Sequence, residues 1–129
     1  MRKVIRTSEG PRPRGPYSQA IVADGFVFVA GQGPANPGTN ELELGDVRSE
    51  TRRTLQNIRA ILEAAGSSLR NVVRVSVFLA DMKDFDGMNA VYREFFTEDP
   101  PARTTVGAQL SKIKVEIDCI ARVRKPRKC

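Results

Sequence analysis

The pattern of apolar and polar residues is most regular near the end of the chain, between residues 113 and 123. Every second residue there is apolar or small, and the intervening positions are Lys114, Glu116, Asp118, Ile120 and Arg122. A period of two residues predicts a strand that buries one face, with Ile120 as the apolar exception on the other face. The β-branched run from Val72 to Ala80 predicts a second strand, placed centrally in the sheet.

Two longer segments repeat their apolar residues at three- and four-residue intervals, which is typical of amphipathic helices. The first begins after Asp46, a residue suited to capping a helix, and Gly66 is well placed to end it. The second begins after Asp84 and reaches Phe96, since the prolines at positions 100 and 101 prevent its continuation.

Shorter apolar runs predict the remaining strands. Residues 3–6 alternate weakly, and Asp24-Gly25 is a hairpin signal between a strand through Val22 and a returning strand at 26–30. Residues 104–110 form the last of these runs. The order β-β-β-α-β-α-β-β predicts an α+β fold, a mixed sheet with two helices packed on one face.

Two helices can cover only one face of such a sheet. The strands at 26–30 and 72–80 are nevertheless apolar on both faces. A second copy of the chain is the simplest cover for the other face, so we expect a closed homo-oligomer.

Length and charge narrow the class of protein. The chain of 129 residues predicts a single domain, 1–129, and its net charge is +6. Residues 1–14 carry five Lys/Arg and one acid, residues 122–129 carry five Lys/Arg and no acid, and the body between them is acidic. Basic terminal segments on an acidic body predict solubilising ends, so nucleic-acid binding is not the expected role, although such ends can hold phosphate non-specifically. With no signal peptide and no membrane span in the pattern, we expect a soluble cytoplasmic protein.

The residue types exclude several chemistries. The absence of histidine excludes Ser/His and Cys/His catalytic couples and, with only two cysteines, the common zinc arrangements. Cys119 and Cys129 are expected to be free thiols. Arg103 follows the two prolines at the start of a strand, where its guanidinium fork could grip a carboxylate; such an arginine is expected to support no core.

Single residues elsewhere have ordinary structural explanations, but several short motifs occur together in a fixed order. They are Gly15-Pro16-Tyr17-Ser18-Gln19-Ala20, Gly31-Gln32-Gly33-Pro34, Asp84-Phe85, Asn89-Ala90-Val91-Tyr92, Phe95-Phe96, Pro101-Ala102-Arg103 and Val115-Glu116-Ile117. In this order and spacing the chain resembles the Rid family, the reactive intermediate deaminases also called the YjgF family. The resemblance covers essentially the whole chain.

The resemblance implies a chorismate-mutase-like fold assembled as a homotrimer, with a site in each cleft between subunits. It implies hydrolysis of 2-enamine and 2-imine acids to 2-keto acids and ammonia, with no cofactor and no metal. By position, Arg103 matches the arginine that grips the substrate carboxylate, and Glu116 matches the carboxylate beside the attacking water. Tyr17 and Asn89 match residues that line the cleft, and Gly31 matches a backbone donor.

Two positions depart from the family pattern. Ala30 stands where the well-studied deaminases carry serine, and Thr105 stands where they carry cysteine. These departures leave two alternatives beside the deaminase. One is a carboxylate-binding or regulatory trimer without turnover. The other is an RNA-associated translation inhibitor or ribonuclease, for which the basic terminal segments are the support.

Overall fold

The fold is a six-stranded mixed sheet with two helices, seen in a computed structural model that describes residues 2–123. The strands are β1 (Lys3–Ile5), β2 (Ala20–Ala23), β3 (Phe26–Gln32), β4 (Val72–Leu79), β5 (Ala102–Gly107) and β6 (Val115–Arg122). The helices are α1 (Val47–Ala64) and α2 (Phe85–Phe95), and single 3₁₀ turns occur at Leu69–Asn71 and Met82–Asp84. The predicted α+β fold and its element order are confirmed. Cys129 and most of the basic segment 122–129 lie outside the described residues.

The strands lie in the order β1-β2-β3-β6-β4-β5. β4 and β5, which flank α2 along the chain, are parallel, and every other neighbouring pair is antiparallel. β6 therefore lies in the middle of the sheet, between β3 and β4, although it is the last of the described strands in chain order. β5 is an edge strand.

The core lies between the sheet and the helices. Its fully buried side chains include Val27, Leu55, Ile58, Ile61, Leu62, Val75, Val77, Leu79, Val115 and Ile117. The alternation predicted for β6 is confirmed, since Val115, Ile117, Cys119 and Ala121 are all buried. On the opposite face of the sheet Phe28, Val73 and Val106 remain 42–44% exposed. Residues 2–123 therefore leave that second face partly open to solvent.

Local signals explain most of the element boundaries. Asp24 and Gly25 both have positive φ, as the predicted two-residue turn requires. Asp46 caps α1 by accepting a hydrogen bond of 2.8 Å from the Ser49 amide, and Gly66 follows its end with a φ of 80°. Asp84 occupies the N-cap position of α2 but makes no side-chain capping bond; Asp81, one turn earlier, accepts from the Lys83 amide instead.

Several strand boundaries differ from the prediction by one to three residues, and two of the differences concern candidate site residues. β5 spans 102–107 instead of 104–110, because Ala102 already pairs with Arg74 of β4. β3 continues two residues past Ala30 to Gln32, which pairs with Ile117. Both extensions place candidate site residues, Arg103 and Gly31, inside strands and not in loops.

A buried carboxylate links the beginning of α1 to the beginning of β6. Glu50 is fully buried, and it accepts hydrogen bonds from the Lys114 amide (2.7 Å) and the Gly45 amide (3.2 Å). The Lys114 ammonium lies 3.6 Å from the same carboxylate. These contacts fix the chain just before Glu116, so they also fix the position from which that residue projects.

Candidate active site

Glu116 projects from β6 toward the sheet face that the helices leave uncovered. Across from it, the pairing of β3 with β6 contains a bulge, because Val29 pairs with Cys119 while Gln32 pairs with Ile117. Two residues of β3, Ala30 and Gly31, thus face one residue of β6. A Cβ atom at position 31 would lie 2.5 Å from a carboxylate oxygen of Glu116. The carboxylate can therefore approach the β3 backbone only because residue 31 is glycine.

Tyr17 lines the same side of the molecule. It belongs to a cavity of about 140 Å³ that is also bordered by Gly31, Glu116, Arg12 and Arg14. The Tyr17 ring is half exposed, and its hydroxyl accepts a hydrogen bond of 3.1 Å from the Arg14 amide. Three predicted site residues, Tyr17, Gly31 and Glu116, therefore share one cavity.

The surroundings of Glu116 favour its protonated form. Burial raises the pKa of Glu116, and the nearby Asp118 carboxylate raises it further. No hydrogen bond from the described part of the chain occupies the Glu116 carboxylate. A half-buried carboxyl group with a raised pKa and free oxygens is suited to holding a water molecule and exchanging a proton with it.

Arg103 projects from the edge strand β5 on the helix side of the sheet. Its guanidinium carbon lies 4.6 Å from the centre of the Tyr92 ring and 5.7 Å from that of Phe85. One of its nitrogens lies 3.9 Å from the Met88 sulfur. Aromatic faces attract a guanidinium while leaving its N–H groups free in the plane of the fork. The expectation that Arg103 supports no core is wrong, because Tyr92 is itself a core residue.

Tyr92 is a constrained partner for that arginine. Its side chain is 5% exposed, and its hydroxyl has no hydrogen-bond partner among the described residues. Burial raises the pKa of Tyr92 to about 12, against a smaller lowering by Arg103. The hydroxyl is therefore neutral at physiological pH, and the ring serves Arg103 as an aromatic platform.

Asn89 and Thr105 lie on the same side as Arg103. Asn89 is three and four residues from Tyr92 and Phe85, which puts it on the face of α2 that contacts the arginine. Thr105 pairs with Val77 and Arg103 pairs with Val75, so both side chains project to the helix side of the sheet. Both residues are half-buried.

The predicted site residues thus form two groups separated by the sheet. Glu116 pairs with Phe78, and Phe78 pairs with Val106, so these three side chains project to the same face of the sheet. Successive residues of a strand project to opposite faces, and Val106 is three residues after Arg103, so this face is opposite the one that carries Arg103. Arg103, Asn89 and Thr105 form one group on the helix side. Tyr17, Gly31 and Glu116 form the other, with Ala30 beside it in the bulge but not among the residues that line the cavity. A single chain does not bring the two groups together.

Sequence reasoning does not identify several residues around these two groups as part of the site. Phe85 and Tyr92 hold Arg103, and their seven-residue spacing on one helix face was the available signal. Arg12 and Arg14 border the cavity of Glu116, but a basic terminal segment gave no reason to place them there. Asn57 donates hydrogen bonds to the carbonyls of Gly33 and Ala35 and so fixes the segment after the bulge; nothing in the sequence distinguished it.

Comparison with known proteins shows which family has this fold and these residues. Residues 7–123 match the family described as Endoribonuclease L-PSP. A RutC family protein of Pyrococcus horikoshii is 52% identical over 94% of this chain and 98% of its own length. The chain belongs to the RidA/YjgF/L-PSP (RutC) family.

Two further relatives are named for an activity or a ligand. A 2-iminobutanoate/2-iminopropanoate deaminase of Bos taurus is 41% identical over 94% of this chain and 90% of its own. The crystal structure of E. coli TdcF with bound serine has a TM-score of 0.88 and 38% identity, over 95% of this chain and 99% of that one. Within residues 2–123, no helix has the length and apolar character needed to cross a bilayer.

Proposed function

We propose that the protein hydrolyses small 2-enamine and 2-imine acids to 2-keto acids and ammonia, without a cofactor. The observation that carries the proposal is the Glu116 carboxyl group, held against Gly31 with a raised pKa and no competing partner in the described chain. The deaminase name of the Bos taurus relative and the serine bound by TdcF support a small amino or imino acid as the ligand.

The chemistry asks little of the protein beyond positioning and charge. The carbon of an iminium ion is already electrophilic, so a water molecule held by Glu116 can add to it. The carboxylate accepts a proton from that water and returns it to the amine. Ammonia then leaves as the C–N bond breaks, and the carbonyl forms as the added hydroxyl group gives its proton to the Glu116 carboxylate. Arg103 binds the substrate carboxylate through its planar fork and keeps the reacting carbon in place.

We propose further that the site forms between subunits of a homotrimer. One subunit supplies Arg103, Asn89 and Thr105, and its neighbour supplies Glu116, Tyr17 and Gly31. Two observations support this arrangement: the two groups lie on opposite faces of one sheet, and the uncovered face presents Phe28, Val73 and Val106 to solvent. A partner subunit that covers this face would complete the site and bury the apolar side chains together.

The departures at Ala30 and Thr105 define the competing proposal, a trimer that binds carboxylates without turnover. Ala30 supplies no hydroxyl beside the bulge, and Thr105 supplies one on the Arg103 side. The free oxygens of Glu116 favour turnover, since mere binding of an anion would gain nothing from a carboxylate placed there.

The deciding experiment is a direct assay of imine hydrolysis. An amino acid oxidase generates imines from alanine and 2-aminobutanoate, and keto-acid release is followed above the spontaneous rate. We expect the protein to accelerate release and Glu116→Gln to lose most of the acceleration while still binding the keto-acid product. Binding of 2-oxobutanoate by the unaltered protein with no acceleration for any imine would establish the non-catalytic alternative.

A further inference from the structure

The loop at residues 10–16 places two arginines on the rim of the Glu116 cavity. Its sequence is Gly-Pro-Arg-Pro-Arg-Gly-Pro, and Arg12 and Arg14 border the same cavity as Tyr17, Gly31 and Glu116. The chemistry proposed above uses neither arginine. The proposed mechanism therefore leaves open what Arg12 and Arg14 bind beside a site for an acidic substrate.

The loop is a rigid support, because each proline fixes its own φ and the backbone is held from outside. The Gln19 side-chain amide donates to the Pro11 carbonyl at 2.8 Å. The Arg12 amide donates to the Asn40 side chain at 2.9 Å, and the Arg14 amide to the Tyr17 hydroxyl at 3.1 Å. The backbone at both arginines is therefore held at a fixed place relative to Tyr17.

The charges of these arginines are not neutralised. No acid in residues 2–123 forms an ion pair with either of them. The Arg14 guanidinium donates to the Asn40 carbonyl, which orients it and leaves its other N–H groups available. The Arg12 side chain makes no hydrogen bond within the described chain. Burial and Asp118, and neither arginine, set the raised pKa of Glu116.

We propose that Arg12 and Arg14 bind a second carboxylate, carried on the side chain of the substrate. The preferred substrates are then dicarboxylic 2-imino acids, such as the imines derived from aspartate and glutamate. This inference rests on the proposed function, with Arg103 of a neighbouring subunit binding the first carboxylate. A cavity of about 140 Å³ has room for a short acidic arm, the equivalent of roughly four or five water molecules.

The test uses stable keto acids, which isolate binding from turnover. We compare 2-oxoglutarate with 2-oxopentanoate, which has the same chain length but lacks the second carboxylate, by titration calorimetry on the intact protein. We expect 2-oxoglutarate to bind about tenfold more tightly, the effect of one charge-assisted contact at a partly exposed site. Arg12→Gln combined with Arg14→Gln should remove this preference, since neither substitution alters the backbone bonds that hold the loop.

Arg70→Gln serves as the matched control, because Arg70 is an exposed arginine that borders a different cavity. It should leave the preference for 2-oxoglutarate intact. Equal affinity for the two keto acids, or a preference that survives the double substitution, would overturn the inference.

The same proteins then distinguish this inference from the proposed function. Hydrolysis of the alanine-derived imine with no preference for 2-oxoglutarate would refute the second carboxylate site and leave the deaminase intact. A preference that depends on Arg12 and Arg14, with no hydrolysis of any imine, would support the second carboxylate site and refute the deaminase.

Discussion

The carboxylate of Glu116 occupies the space into which any side chain at position 31 would project. The 2.5 Å separation between that carboxylate and a Cβ at position 31 is shorter than real contacts allow. Gly31 lies outside the left-handed region of φ, where only Gly25 and Gly66 are found among the described glycines. Its role is therefore to leave room for Glu116, and the backbone itself would accept alanine.

This relationship predicts that Gly31→Ala displaces Glu116 and impairs catalysis with little change in stability. We expect kcat/KM for imine hydrolysis to fall by a factor of about ten or more, because the water-holding carboxylate leaves its position. Gly107→Ala is the matched control, since a Cβ there meets only ordinary contacts, the nearest at 3.5 Å. Undiminished activity in Gly31→Ala, measured beside its melting temperature, would show that the position of Glu116 is unimportant.

A mixing experiment tests whether the site forms between subunits. Arg103→Ala and Glu116→Gln should each be inactive, yet trimers reassembled from an equal mixture should recover activity. In random trimers about one interface in four pairs an intact Arg103 with an intact Glu116 of the neighbour, so about a quarter of the full activity should return. Each variant refolded alone provides the baseline. No recovery in verified mixed trimers would place both residues in one subunit's site.

Tyr92 should act on the reaction through the position of Arg103. Tyr92→Phe keeps the ring and removes an unpartnered buried hydroxyl, so kcat/KM should be retained and the free energy of unfolding should rise by up to about 1 kcal/mol. Tyr92→Leu removes the aromatic platform and should lower kcat/KM roughly tenfold. A loss of similar size in both variants would indicate that the hydroxyl matters and the ring does not.

Arg103→Lys preserves the charge but not the planar fork. We expect a loss of at least about 2 kcal/mol of transition-state stabilisation, as for a charge-assisted bond in a desolvated site. The contacts with Tyr92 and Phe85 add a stability cost of about 1 kcal/mol, which the sequence alone did not predict. Imine hydrolysis and thermal unfolding should be measured on the same samples. Full activity in the lysine variant would exclude bidentate binding by this residue.

The raised pKa of Glu116 makes stability depend on pH in a defined direction. The folded carboxyl group holds its proton to higher pH than in the unfolded chain, where its pKa is close to 4.5. Its stabilising effect is complete below that value and is lost as the pH rises through the folded pKa. Glu116→Gln should therefore gain melting temperature relative to the unaltered protein between about pH 4 and pH 8. A constant difference across that range would contradict the raised pKa.

The fold could be predicted because its local signals agree with its global pattern. Asp24-Gly25 specifies its turn, Asp46 caps α1, and the alternation of β6 matches its burial. Asp84 shows the limit of such reasoning, since an acid at the right position forms no cap when a 3₁₀ turn precedes the helix.

The site was less accessible to sequence reasoning, for a physical reason. Residue types indicated Arg103 and Glu116, but which face each side chain takes depends on the register of β6 with β3 and β4. The bulge at Ala30 and Gly31 shifts that register, and no pattern of residues in the sequence indicates a bulge there. The sequence predicts only a solubilising terminal segment for Arg12 and Arg14, because the contacts with Asn40 and Tyr17 that bring them to the cavity are visible only in the structure.

The central place of β6 also governs how the chain can fold during synthesis. Until residues 115–122 emerge, β1–β3 and the β4–β5 pair have no strand to join them, and each exposes an unpaired edge. The contacts that complete the sheet span up to 96 residues of sequence, between Phe26 and Arg122, which is characteristic of slow, high-contact-order folding. A ribosome-bound chain halted before β6 should therefore remain open to proteases and to edge pairing with other nascent chains. The sheet is closed by β6, the last of the described strands to be synthesised.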